Sequence, residues 1–63
     1  MGYKRQYYAK AESLDGRDII GFFFQSEFRA NSKKNYEDAK SEYFRKHHHY
    51  VIILATWLAT GLD

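Results

Sequence analysis

Three histidines, His47, His48 and His49, stand together in a chain of 63 residues that has no cysteine. Imidazole is a common metal ligand and the side chain that titrates near neutral pH. Neighbouring residues on a helix point about 100° apart, so three in a row cannot converge on one tetrahedral ion in regular structure. No cysteine or carboxylate adjoins them, and the triplet reads as a basic helix end leading into a turn, open to protonation but holding no metal. A second group gathers around one turn: the carboxylates Glu12, Asp15, Asp18 and Glu27, with Ser13 beside them. A serine nucleophile needs a positioned base, and the histidines lie in another part of the chain. A core this small offers no obvious cleft of several hundred Å³. There is no glycine-rich phosphate loop. The expectation is therefore no catalytic residue, no cofactor and no metal.

The remaining chemistry is aromatic and basic. Six Tyr, five Phe and one Trp are an unusual share for so short a chain, and each ring can bury or present a large area. Tyr, Trp, Phe and Arg are also residue types suited to binding hot spots. Tyr8, Lys10, Phe23 and Trp57 are the expected partner contacts, with Arg29 supplying charge. The same inventory permits another use. Tyr3, Tyr7 or Tyr8, Phe23 and Trp57 could stack on bases while Lys4, Arg5, Lys10 and Arg17 neutralise phosphates, which is the logic of single-strand binders.

Which of these residues meet depends on the elements that carry them. Tyr7, Ala9 and Ala11 alternate with Gln6, Tyr8, Lys10 and Glu12, so the period of two predicts a strand over Tyr3 to Ser13. Leu14-Asp15-Gly16-Arg17 is a hairpin turn, because glycine accepts the positive φ that a tight turn requires. Asp18 to Arg29 is a second strand, with Ile20, Phe22, Phe24 and Phe28 on one face and Ile19, Phe23, Gln25 and Glu27 on the other. Gly21 marks either a bulge or a place where an aromatic lies close to the backbone. A helix follows, capped by Ser32 or Asn35. Asn35 is favoured because it puts Glu37 and Asp38 at the positive end of the dipole. The helix runs to about His47 and buries Tyr36, Ala39, Tyr43 and His47, with Phe44 beside them. Tyr50 to Ala59, rich in β-branched residues, is read as a third strand, the rival being a helix continued to Thr60 and ended at Gly61.

The resulting fold class is α+β, in the order β-β-α-β. It is a three-stranded antiparallel sheet with one helix packed on one face by a right-handed crossover. The small Ala9 and Ala11 suit a position under the helix axis, which favours strand order 2-1-3. The other sheet face then carries Lys4, Gln6, Tyr8, Lys10, Glu12, Ile19, Phe23, Gln25 and Glu27. The third strand adds either Ile52, Leu54 and Thr56 or Val51, Ile53 and Trp57. That face is too apolar for a plain solvated surface, and an apolar patch of this kind usually marks an interaction site. The plainer alternatives are a homodimer seam or scattered surface apolar residues around Phe23. An edge strand, either the second or the third, could also accept a strand from a partner.

Length and charge bound the class. Positions 1-63 fit one domain, and a chain of this size buries only about 60% of its unfolded surface, so partner binding is a natural source of stability. Net charge is +2, mild for a dedicated nucleic-acid binder. The longest apolar run, Tyr50 to Ala59, falls short of the roughly 20 residues a membrane span needs. Met1 to Gln6 leads into no apolar leader segment, and Gln6 stands where a myristoylation motif wants Ser or Thr. Together with the lack of cysteine, this reads as a cytoplasmic protein without membrane association.

The hairpin Tyr7–Ser13 / Ile19–Phe28, the helix opening at Asn35-Tyr36-Glu37-Asp38-Ala39 and the returning strand Tyr50–Leu58 resemble small phage-encoded inhibitors. These are the RNA polymerase inhibitor and anti-CRISPR types. The likeness lies in length and element order, and it carries no functional residue across. It implies a viral or mobile-element protein in the host bacterial cytoplasm that occludes a bacterial host protein or protein complex. This chain is mildly basic, unlike inhibitors that mimic nucleic acid.

Overall fold

A computed structural model describes residues 3–59. Met1, Gly2 and positions 60–63, including the Gly61 of the rival helix reading, lie outside the described residues. The elements run β1 (Arg5–Ser13), β2 (Ile19–Ser26), α1 (Lys33–His47) and β3 (Val51–Leu58). The sheet has the order β2-β1-β3, with β1 antiparallel to both neighbours. This is the expected α+β arrangement, and residues 51–58 are strand. The strands are shorter at their ends than the alternation suggested.

The hairpin closes where Ser13 N donates to Asp18 O at 3.0 Å. Gly16 supplies the positive φ, 75°, and its N–H donates to Ser13 O at 2.9 Å. Beneath the helix, Ala9 and Ala11 of β1 and Ala39 of α1 are fully buried. Methyl-sized side chains on both sides let helix and sheet approach closely, and Tyr7, Phe24, Val51 and Ile53 fill the space around them.

Four expectations needed correction. The helix cap is Ser32, not Asn35: the Ser32 hydroxyl accepts from Asn35 N at 3.2 Å, and no acidic residue lies in the first turn. Local electrostatics lose because Asn35 is wanted inside. Its amide nitrogen donates to Phe28 O at 2.9 Å, and its oxygen accepts from Thr56 Oγ1 at 2.7 Å. His47, expected in the buried stripe, lies exposed at the end of the helix; the fully buried helix positions are Asn35 and Ala39, with Tyr36 and Tyr43 half-buried. Phe28 falls beyond the end of β2 and is exposed, with Lys34 Nζ 5.2 Å from its ring centre, and Ser26 takes the inward position instead.

The fourth correction concerns β3. Neither alternating set expected for its open face is present. The pairing with β1 shifts between Lys10 and Ala11: Lys10 lies opposite Ala55, and Ala11 opposite Ile53. The extra residue, Leu54, is a bulge that resets the alternation. Val51 and Ile53 face the core before it and Thr56 after it, so Trp57 turns to the open face together with Ile52.

Candidate functional site

The face of the sheet away from the helix carries exposed apolar side chains from all three strands. Tyr8 on the central strand pairs with Phe23 of β2 on one side and with Trp57 of β3 on the other. The three rings form a row across all three strands. Tyr8 meets Phe23 edge to face at 5.0 Å between centres, and lies tilted against Trp57 at 5.9 Å. Contacts of this kind are worth about 0.5–1.5 kcal/mol each beyond area burial and favour this arrangement of the rings. It remains open to solvent: Tyr8 is 36%, Phe23 54% and Trp57 49% exposed. Exposed Ile19, Ile52 and Leu54 widen it.

Gly21 explains how Tyr8 lies. It sits diagonally across from Tyr8 in the β1–β2 register. A Cβ at Gly21 would overlap the Tyr8 hydroxyl and come within 2.7 Å of Tyr8 Cζ. Of the two roles expected for this glycine, close approach of an aromatic is the one found, and the bulge lies on β3. The glycine lets the tyrosine ring lie along the sheet and present its face.

The structure brings Tyr8, Lys10, Phe23 and Trp57 together on this face. Arg29 is elsewhere, in the β2–α1 connection near Tyr3, Arg5 and Glu27. Sequence reasoning missed the combination of Ile52, Leu54 and Trp57, because only the bulge puts them on one face, and a bulge leaves no mark in the alternation. A second aromatic cluster, also unforeseen, forms past the helix end. Phe44 stacks on Tyr50 at 4.6 Å, with His48 at 5.7 Å, and His48 itself adopts the left-handed conformation that ends the helix.

The expectation that no cleft of several hundred Å³ exists is also revised. Open grooves of about 300–410 Å³ run along the surface. One, of about 370 Å³, places His49 alongside Ser13, Asp15 and Asp18, which sequence separation had kept apart. The Ser13 hydroxyl is engaged within the turn there. It donates to Asp15 Oδ1 at 2.6 Å and accepts from Asp18 N at 3.1 Å. The Ser13 hydrogen bond, followed by that from Arg17 N–H, holds the Asp15 carboxyl below its ordinary range. Another groove, of about 410 Å³, lies between β2 and the helix, lined by Lys4, Gln25, Glu27, Glu42 and Arg45 among others. Arg45 donates to Glu42 at 2.6 Å and is the main cause of that carboxyl's lowered pKa, with Lys46 at 3.5 Å adding to it. Among the described residues, no group of three His, Asp or Glu side chains could hold a metal ion, and no helix is long and apolar enough to cross a membrane.

No protein-family model, no curated protein and no solved structure matches the chain.

Proposed function

We propose that this protein is a non-catalytic binding module whose helix-free sheet face docks on a partner protein. The observation that carries the reading is the row Phe23–Tyr8–Trp57, its rings in mutual contact, exposed and bordered by aliphatic side chains. Aromatic rings have few rotatable bonds to immobilise on binding and bury much area, which is what hot spots require. On the likeness in length and element order, we extend this to an inhibitor that occludes a bacterial protein machine. Tyr8, Lys10, Phe23 and Trp57 are the contacts of that reading. Arg29, away from the row, would act at the rim.

The same row supports a second reading, a single-stranded nucleic-acid binder with bases stacked on the three rings. Charge favours the first. Of the two cations expected on this face, Lys10 lies there, with the carboxylate of Glu12 on the same strand, whereas Lys4 precedes β1 and lines the grooves beside Glu42 and Arg45 of the helix. Phosphate binding draws on several neutralising side chains.

The test compares the wild-type chain with Phe23→Ala and Trp57→Ala as baits in bacterial lysate, alongside titration of oligonucleotides across a salt series. The proposal expects a host protein retained by the wild type and lost by both variants, with no oligonucleotide binding at low salt. An unchanged set of captured proteins refutes this face. Oligonucleotide binding that weakens steeply with salt replaces the protein reading with the second one.

A further inference from the structure

The two edges of the sheet are treated differently. On β3, the outward Thr56 N–H donates to Asn31 Oδ1 at 3.0 Å, and the Tyr36 hydroxyl lies 3.3 Å from Leu54 O. The β2–α1 connection and the helix therefore occupy that edge. On β2, no loop or side chain among the described residues hydrogen-bonds to the main chain of Ile19 through Gln25 apart from the pairing with β1. The sequence of this strand, Ile19–Ser26, contains no charge and no proline. Natural edge strands normally carry such devices, and an uncharged, β-branched and aromatic edge is a template for pairing.

We infer that the outer edge of β2 pairs with β2 of a second copy of this chain, antiparallel about a two-fold axis at Phe22, to make one six-stranded sheet. The register follows from hydrogen bonding. Hydrogen-bonded and non-hydrogen-bonded pairs alternate along an antiparallel ladder. Since Ser13 N bonds Asp18 O, the groups of Ile20, Phe22 and Phe24 turn toward β1, and those of Ile19, Gly21, Phe23 and Gln25 turn outward. Pairing Ile19 with Gln25 and Gly21 with Phe23 of the second copy uses every outward group, giving about eight main-chain hydrogen bonds. The two Phe22 residues then face each other at the closely spaced position, and Ile20 meets Phe24.

Charge fits the same register. Beyond the strand ends, Arg17 of one copy comes opposite Glu27 of the other, twice by symmetry. Within one chain these two residues are separated by the length of β2, roughly 30 Å at the strand rise, so they cannot pair internally. Arg17 makes only a loose contact of 3.9 Å with Asp15 and is highly exposed. A mutually self-complementary edge is what an isologous two-fold interface needs. In the dimer the two Phe23–Tyr8–Trp57 rows lie on one continuous face. The inference does not depend on what that face binds.

Sedimentation equilibrium across a wide concentration range tests it, with circular dichroism as the check on folding. The wild type should approach twice the 7.5 kDa chain mass. Gln25→Pro removes an outward N–H and leaves the β1 ladder intact, so it should stay folded and monomeric. Arg17→Glu and Glu27→Arg should each weaken self-association several-fold. Mixing these two variants should restore association, because in the mixed dimer both end pairs are attractive. That readout survives even if Gln25→Pro does not fold. A wild type that stays monomeric overturns the inference. So does a dimer indifferent to Gln25→Pro and to the charge variants, or one abolished by Trp57→Ala and kept by Gln25→Pro, which would place the seam on the open face.

Discussion

Replacing Thr56 by valine removes one oxygen from a buried crossing point while keeping the side-chain shape. Thr56 Oγ1 accepts from Asn31 N at 2.8 Å and donates to Asn35 Oδ1 at 2.7 Å. Thr56 is 1% and Asn35 0% exposed, so the Asn35 oxygen has no access to water once its donor is gone. An orphaned buried acceptor costs about 1–3 kcal/mol, and the lost bond at the more exposed Asn31 adds about 1 kcal/mol. The expected loss is therefore about 2–4 kcal/mol. A chain this long has a total stability of only about 3–9 kcal/mol. The melting temperature should fall by roughly 8–30 °C, taking ~4–8 °C per kcal/mol for a small domain. The consequence reaches the binding face, because this network fixes β3 just past the bulge that turns Trp57 outward. Trp57 is the single tryptophan, so urea unfolding followed by its fluorescence reads both effects. Thr56→Ser, which keeps the oxygen, should cost no more than the ~1.5 kcal/mol typical of a lost methyl group. A loss below about 0.5 kcal/mol for Thr56→Val, the level of an ordinary surface change, would refute the argument.

Gly21→Ala should destabilise by about 1 kcal/mol through the Tyr8 overlap, despite the usual gain from removing a glycine in a strand. In a Tyr8→Ala background the same change should become neutral or stabilising by chemical denaturation, and an unchanged sign would mean Tyr8 is not what the glycine accommodates. Ser32→Ala should cost about 1 kcal/mol as a lost helix cap, whereas Ser32→Gly should cost a few tenths, both measured by thermal melts. Glu42 has a folded pKa held below the ordinary 4.5, so its pairing stabilises fully above that pH and the contribution fades as pH falls through the lowered value. Glu42→Gln should flatten the acid limb of stability against pH, and an acid limb identical to the wild type's would show that Arg45 and Lys46 do not stabilise through it.

The order of elements was legible in the residues themselves. Alternation in Tyr7, Ala9 and Ala11, the Asp15-Gly16 turn and the β-branched run Val51-Ile52-Ile53 are local signals, and local periodicity is set by backbone geometry alone. The small residues of β1 even revealed strand order, because only the central strand must let a helix come so near. The open face was half legible: Tyr8, Lys10 and Phe23 follow from alternation, but Trp57 does not. Its direction depends on Leu54 being an extra residue, next to which Asn31, from far along the chain, accepts from Thr56 N and donates to Thr56 Oγ1. The helix cap turned on the same cause. Sequence electrostatics favour Asn35, but satisfying Phe28 O and Thr56 Oγ1 in a dry interior costs more to forgo than the first-turn charges return. The sequence thus determined what could form locally. The tertiary structure decided wherever a buried polar group had to find a partner in a distant segment, and one such place lies beside the bulge that sets the direction of the third ring in the aromatic row.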